Sequence, residues 1–201
     1  MKKIKDITED EMVATFLKGE INSKRFGYQI YDALEELGLD DGLIRNPKLN
    51  RAEENNTRKK ILRMARGYNS FLLFEGYPQD VKWVRATITK KELLDIRYIN
   101  YSYWLEITQG SRKLDDAVKT IKEGKEVFNV SNDNFLEAAE EVKKGTSFPE
   151  LILVTKGNDH PLVVLEGHLR ATAYRLSLEY IPDEIEVLLG TSDDFDQWGH
   201  Y

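Results

Sequence analysis

Residues that could bind a phosphate group lie together at Glu166, Gly167, His168, Leu169 and Arg170. An apolar run of strand type precedes them, and helical spacing of apolar residues follows. A helix N-terminus leaves about four N–H groups unpaired and carries roughly half a positive charge. Gly167 lacks a Cβ, so a ligand can approach the backbone, and Arg170 can hold phosphate oxygens through two parallel hydrogen bonds. We therefore predict a phosphate-binding turn formed by Gly167, His168 and Arg170.

Two further groups at this turn could move a proton. His168 belongs to the residue type that titrates near neutral pH. Beside phosphates, Glu166 suits a metal ion or a substrate hydroxyl better than the phosphate itself. In the alternative interpretation, Gly167 only turns the chain and Arg170 pairs with a nearby carboxylate, since short motifs recur by accident. The motif by itself leaves both interpretations open.

A second group of candidates precedes the long helices of the C-terminal part. Glu106 is a candidate general base, Arg112 a second phosphate clamp, and Trp104 a wall for a base or substrate. In the alternative interpretation, Trp104 and the neighbouring tyrosines belong to the core or to an interface, and Ser111 caps a helix. Both interpretations remain open for this stretch.

Composition excludes several classes of protein. The net charge of −6 argues against a surface that neutralises nucleic-acid phosphates. The chain has no cysteine, which excludes disulfides, thiolate nucleophiles and cysteine-ligated zinc. The histidines at 160, 168 and 200 lack the spacing of a zinc site, so no metal centre is predicted.

Hydropathy indicates a protein that is not embedded in a membrane. No apolar run approaches the ~20 residues of a membrane span. The N-terminal residues are partly basic but contain no apolar signal core. We therefore expect a cytoplasmic location and no membrane partner.

Periodicity predicts two parts with a boundary between about residues 76 and 84. Residues 1–80 are predicted to be a helical region, with two amphipathic helices between residues 9 and 39 and a third from Thr57 to Gly67. Between the second and third helices, residues 45–56 are predicted to be an exposed, turn-rich segment. The third helix carries five basic residues, which form either a solvated face or a surface for an acidic partner or nucleic acid. The N-terminal helices are the candidate surface for a protein partner.

Residues 81–201 are predicted to be a mixed α/β domain in which a hairpin leads directly into a helix. Asn132 or Asp133 is the expected cap of its best-signalled helix, which Gly145 ends. The predicted strands cover residues 83–89, 150–155 and 161–166, and a last strand ends the stretch 181–190. The predicted helices cover 90–99, 113–124, 132–145 and 168–179.

This second part resembles the ParB/sulfiredoxin-like superfamily. The resemblance is carried by "PLVVLEGHLRATAYRL", preceded by "FPELILV" and followed by "PDEIEVLLG", and it covers about residues 83–190. It implies an α/β (α+β) fold with a mixed sheet and flanking helices, to which residues 1–80 add an N-terminal helical extension. It also implies that Gly167, His168 and Arg170 hold the phosphates of ATP, ADP or CTP, with Mg²⁺. Superfamily members often carry an arginine near the place of Arg112.

Not every activity of the superfamily is expected here. Sulfiredoxins need a cysteine, and partitioning ParB proteins follow this domain with DNA-binding and dimerisation segments, which the 11 residues after the last predicted strand do not provide. Free-serine kinases pair an acid at the turn with an upstream glutamate, and Glu166 and Glu106 are the candidates. The sequence thus leaves open a phosphotransferase or nucleotide hydrolase acting on a small molecule, a non-catalytic nucleotide-sensing module, and an architectural turn without a ligand.

Overall fold

The sheet at the centre of the fold has five strands of mixed direction. The computed structural model describes residues 1–69 and 71–201. The strands are β1 (Lys2–Asp6), β2 (Lys82–Thr89), β3 (Leu151–Thr155), β4 (Val163–Glu166) and β5 (Glu184–Thr191). Their order across the sheet is β1-β2-β5-β3-β4, in which β3 and β5 are parallel and the other neighbours are antiparallel. This architecture confirms the α/β class.

Helices flank the sheet and precede most of the strands. They are α1 (Glu9–Glu20), α2 (Gly27–Glu36), α3 (Gly42–Arg45), α4 (Ala52–Arg66), α5 (Lys90–Leu94), α6 (Ser102–Ile107), α7 (Leu114–Lys122), α8 (Asp133–Lys143) and α9 (His168–Leu176). Short 3₁₀ helices cover Leu72–Phe74 and Asp193–Gln197. No helix of the described residues is long and apolar enough to cross a membrane.

The hairpin that leads into the candidate turn forms as predicted. Every residue of β3 and β4 is buried, because both strands are apolar runs rich in β-branched residues, typical of strands covered on both faces. Ile152 of β3 lies opposite Glu166, the last residue of β4. The helix α9 starts two residues after Glu166, so the sheet holds one side of the candidate turn rigidly.

Several helix ends follow the predicted signals. Thr89 starts α5 with a capping box, in which its hydroxyl accepts a hydrogen bond from the Glu92 N–H at 3.2 Å. Gly67 ends α4 and Gly145 follows α8, both with positive φ, as αL helix ends require. Asn132 precedes α8 but makes no capping hydrogen bond with its side chain.

One predicted helix start and one alternative helix cap are wrong. The helix α4 begins at Ala52, five residues before Thr57, so residues 52–56 of the predicted turn-rich segment are helical. Thr57 lies inside α4 and donates its hydroxyl to the Glu53 carbonyl oxygen at 2.8 Å. Ser111 does not cap α7, because Lys113 occupies that position and the Ser111 hydroxyl bonds Asp116 instead.

The first residues form a strand that periodicity did not predict. Lys2 pairs with Thr87 and Asp6 with Val84, so β1 extends the sheet at its β2 edge. The strand has no buried residue, which explains why it carries no apolar signal. The buried side chains of α1 and α4 also belong to the same hydrophobic cluster as those of the sheet. The N-terminal residues are therefore not exclusively helical, and the boundary near residue 80 stays a prediction.

The basic helix α4 does not present one solvated face. Arg58 is fully buried and donates to the carbonyl oxygens of Leu43 at 3.1 Å and Lys48 at 3.4 Å. Lys59 binds Glu9 of α1 at 2.6 Å. These contacts show that α4 uses part of its positive charge inside the fold, where turn carbonyls and acidic side chains need donors.

Candidate functional site

The turn between β4 and α9 requires glycine at position 167. Gly167 has φ 101°, a left-handed conformation that other residues rarely adopt. A Cβ there would lie 2.6 Å from Leu151 Cδ2 and 3.0 Å from Arg170 Nη2. Gly167 also precedes α9 without a capping side chain. The glycine therefore allows both the sharp turn and the close approach of the Arg170 guanidinium.

Arg170 pairs with Glu166 across this turn. Both residues are 7% exposed, and Arg170 Nη2 donates to the Glu166 carboxylate. The same nitrogen donates to the Glu150 carbonyl oxygen at 3.3 Å, whereas Arg170 Nε has no partner. Burial raises the pKa of Glu166, and the charge of Arg170 opposes that rise. The structure therefore shows Arg170 paired with a nearby carboxylate, which was the alternative interpretation of the sequence.

The C-terminal end of α1 covers this ion pair. A Cβ at Gly19 would lie 2.7 Å from Glu166 Oε2 and 3.1 Å from Arg170 Nη2, so only glycine lets the helix come so close. The adjacent Glu20 is 6% exposed, and burial raises its pKa to about 8 against the opposing charge of Arg66. The phosphate-site prediction did not include α1. Gly19 was the one signal in the sequence for this contact, because an isolated glycine inside a helical pattern commonly allows close packing against another element.

Arg66 of α4 completes what we call the buried charge cluster, formed by Glu20, Arg66, Glu166 and Arg170. Arg66 Nε lies 3.4 Å from Glu20 Oε2, too poorly aligned for a hydrogen bond, and has no hydrogen-bond partner. Its guanidinium carbon lies 3.8 Å from the centroid of the Phe26 ring. The cluster thus joins α1, α4 and the turn before α9.

His168 lies beside the cluster and packs against two aromatic rings. Its ring is nearly parallel to those of Trp104 and Tyr98, with centroid distances of 5.2 Å and 6.2 Å. Burial lowers the His168 pKa to about 3, and the positive charges of Arg66 and Arg170 add to this effect. His168 is therefore neutral at pH 7, and its Nε2 atom has no partner.

Trp104 and Tyr98 belong to the core. Trp104 is 8% exposed and Tyr98 is fully buried, with their ring centroids 4.1 Å apart. The Tyr98 hydroxyl is 2.7 Å from the Thr172 hydroxyl of α9. The core interpretation of Trp104 therefore holds in this conformation, and its ring supports His168.

The structure does not bring Glu106 or Arg112 into the cluster. Glu106 is exposed on α6, two residues after the buried Trp104, and side chains two apart on a helix face different directions. Arg112 donates to the main-chain oxygens of Tyr98 at 2.7 Å and Tyr201 at 2.5 Å. Its guanidinium therefore holds the last residues of the chain against the core. The spacing of residues in the sequence did not show in which direction the side chains of Glu106 and Arg112 point.

The surroundings of the cluster favour an anion. At neutral pH Glu20 is largely protonated, because burial raises its pKa to about 8, so the two arginines face at most one ionised carboxylate and the cluster carries net positive charge. Arg66 Nε and Arg170 Nε are buried donors without partners. In this conformation α1 covers them. Within residues 1–69 and 71–201, no group of three or more histidine, aspartate or glutamate side chains is arranged to hold a metal ion.

The comparisons with known proteins found no relative of this chain. No protein-family model, no curated protein and no solved structure matches the chain. The resemblance to the ParB/sulfiredoxin-like superfamily therefore stays a prediction, and the fold and the candidate site rest on the residues of this chain.

Proposed function

We propose that the chain binds a phosphate-bearing small molecule of the nucleotide class, such as ATP, ADP or CTP, at the turn between β4 and α9. We further propose that it acts as a non-catalytic, nucleotide-responsive module in the cytoplasm. The observation that carries the proposal is the pair of arginines, Arg66 and Arg170, each with a buried Nε donor that has no partner. They lie beside a helix N-terminus that has no capping side chain.

Binding exchanges one partner of Arg170 for another. The guanidinium leaves Glu166 and takes the phosphate oxygens, which it can hold through two hydrogen bonds. Glu166 then stays in a buried position without its cation. Because burial already raises its pKa, Glu166 takes up a proton, so the ligand binds more tightly as the pH falls.

The ligand must also displace the end of α1. Gly19 and Glu20 cover the ion pair, so a phosphate reaches Arg170 only when this end of the helix moves. A ligand that binds one of two states shifts the population toward it. The displaced segment changes the surface that the N-terminal helices offer to a protein partner, which links nucleotide binding to the interaction.

A phosphotransferase or nucleotide hydrolase acting on a small molecule is the second candidate. It is favoured by the raised pKa of Glu166, since perturbed carboxyl groups cluster at catalytic sites. In that case Glu166, once free of Arg170, would accept a proton or hold Mg²⁺. The candidate ranks second because Glu106, the other proposed base, is exposed on α6 and faces away from Trp104 and the cluster.

The proposal is tested by thermal unfolding with ATP, ADP, CTP or GTP, with and without Mg²⁺. A ligand at about 100 times its dissociation constant stabilises the protein by about 2.7 kcal/mol, which is a shift of roughly 5 to 10 °C at this chain length. The test variant is Glu166→Gln with Arg170→Gln, which removes both charges together. The control is Arg175→Gln, on the same helix but paired with Asp115 at the surface.

We expect one nucleotide to raise the unfolding temperature of the wild type and the Arg175→Gln variant, and not that of the double variant. An equal shift in the double variant would contradict binding at this turn. The absence of a shift with every nucleotide would contradict the whole proposal. Turnover of the bound nucleotide would replace the non-catalytic module by the enzyme.

A further inference from the structure

A second region with ligand-binding features lies at the opposite end of α1. A cavity of about 150 Å³ opens between the start of α1 and the segment that leads into β2. Its walls include Tyr68, Tyr77 and Trp83, and Glu9 lies among the lining residues. We call it the aromatic pocket. An engineered protein cavity of about this volume holds a benzene molecule, so a ligand of four to six heavy atoms has the right size.

Among the described residues that line the aromatic pocket, only Glu9 is charged, and its carboxylate contacts Lys59 Nζ at 2.6 Å. The Tyr68 hydroxyl donates a hydrogen bond to the Glu9 carboxylate. The pKa values of Tyr68 and Tyr77 are both raised, first by burial and then by the negative charge of Glu9. No lysine or arginine is among the described residues that line the pocket.

Tyr77, which lines the pocket, has a hydroxyl group without a hydrogen-bond partner. Tyr77 is 6% exposed, and its hydroxyl oxygen is buried and unpaired. Its ring is fixed by edge contacts with Phe74 and Trp198, at centroid distances of 5.2 Å and 5.3 Å. A buried hydroxyl group without a partner is costly, so a ligand that donates a hydrogen bond to it would gain affinity.

We propose that the aromatic pocket binds a small alkylammonium cation that carries at least one N–H group. Aromatic rings together with a carboxylate recognise such cations through cation–π attraction and Coulomb attraction. The N–H group donates to the Tyr77 hydroxyl, and the Glu9 carboxylate balances the charge. Lys59 contacts Glu9 at 2.6 Å and Asp10 at 2.9 Å, so it competes for the same carboxylate.

The test is an NMR titration of the ¹⁵N-labelled protein at pH 7 with trimethylammonium. Tetramethylammonium serves as the cation without an N–H group, and tert-butanol as a neutral compound of similar size. We expect trimethylammonium to shift the signals of Glu9, Tyr77 and the Trp83 indole, with an affinity at least tenfold higher than that of tert-butanol. Equal affinity for tert-butanol, or shifts confined to other residues, would overturn the proposal.

Variants separate the contributions of charge and hydrogen bonding. Glu9→Gln is expected to weaken trimethylammonium binding at least tenfold, whereas Glu53→Gln, an exposed glutamate in the first turn of α4, leaves it unchanged. Tyr77→Phe is expected to weaken trimethylammonium but not tetramethylammonium. Lys59→Met is expected to strengthen both. Binding that is insensitive to Glu9→Gln in a protein with an otherwise native spectrum would contradict a cation site.

Discussion

The two ends of α1 contain the same residue type in opposite environments. At the N-terminal end, Thr8 accepts a hydrogen bond from the Glu11 N–H at 3.2 Å, and the Glu9 side chain is 43% exposed. At the C-terminal end, Gly19 and Glu20 are pressed against the buried charge cluster. The helix dipole stabilises acidic groups at the first end and destabilises them at the second.

The comparison shows that exposure to solvent, more than residue type, determines how each of these glutamates contributes to stability. Glu9 lies in contact with water and with Lys59, where an ion pair contributes little. Glu20 lies out of water, and burial raises its pKa to about 8. The buried end of α1 should therefore respond strongly to changes of charge and volume, and the exposed end only weakly.

Arg170→Ala is expected to have the largest effect on the buried end. It leaves Glu166 buried without its cation, which costs about 3 to 5 kcal/mol of stability. The single change is therefore expected to be strongly destabilising, and the paired change Glu166→Gln with Arg170→Gln should recover most of the loss. Urea unfolding measures all three proteins. Arg175→Ala, which breaks a surface pair on the same helix, should cost no more than about 1 kcal/mol, and a similar loss for both arginines would remove the contrast.

Glu20 makes the buried end sensitive to pH. The carboxyl titrates near 4.5 when unfolded and at about 8 when folded, so the folded state binds more protons between these values. Its contribution to stability is fully present below pH 4.5 and is lost as the pH rises through 8, by on the order of 5 kcal/mol. Glu20→Gln should therefore gain stability relative to the wild type between pH 5 and pH 9 in urea unfolding. If the free energies of unfolding of Glu20→Gln and the wild type differed by the same amount at pH 5 and at pH 9, Glu20 would be ionised and paired with Arg66 in the folded protein.

Gly19→Ala tests how closely α1 packs on the cluster. Alanine normally stabilises a helix interior by about 0.5 to 1 kcal/mol relative to glycine. Here its Cβ would lie 2.7 Å from Glu166 Oε2, so we expect a net loss of about 1 to 3 kcal/mol in thermal or urea unfolding. Gly42→Ala in α3 is the control, since the atom nearest to its Cβ belongs to the side chain of Asp40, which can move. A more stable Gly19→Ala variant would show that α1 does not press on the ion pair.

Thr8→Ala is expected to have the smallest effect, at the exposed end. It removes the side-chain cap of α1, which costs about 1 kcal/mol. Thr8→Ser keeps the hydroxyl and should retain nearly the full stability in urea unfolding. A loss at Thr8 as large as that of Arg170→Ala would show that the two ends do not differ in the way proposed.

Local signals predicted much of the C-terminal part. The hairpin and the helix after it follow from residue patterns that act within a few neighbours. The strand β1 was missed because none of its residues is buried. The start of α4 was missed because its first turn has no large apolar residue, and periodicity gives no signal there.

Predictions about the site were limited in a different way. The sequence placed Glu166, Gly167 and Arg170 at one turn, and the structure brings them together there. The sequence could not show that the Arg170 guanidinium faces Glu166, or that Glu106 lies on an exposed face of α6. Side-chain direction depends on packing between elements distant in sequence.

The sequence by itself determined the α/β alternation, the glycine turn after a buried strand, and the absence of cysteine chemistry. Only the tertiary structure decided that α1 covers this turn, that Arg66 and Glu20 join the charge cluster, and that an aromatic pocket opens at the other end of the helix. The physical reason is the distance along the chain over which each interaction acts. Backbone preferences act between neighbouring residues, whereas burial, and with it the pKa and the partner of each charged group, depends on which distant segments exclude water from it.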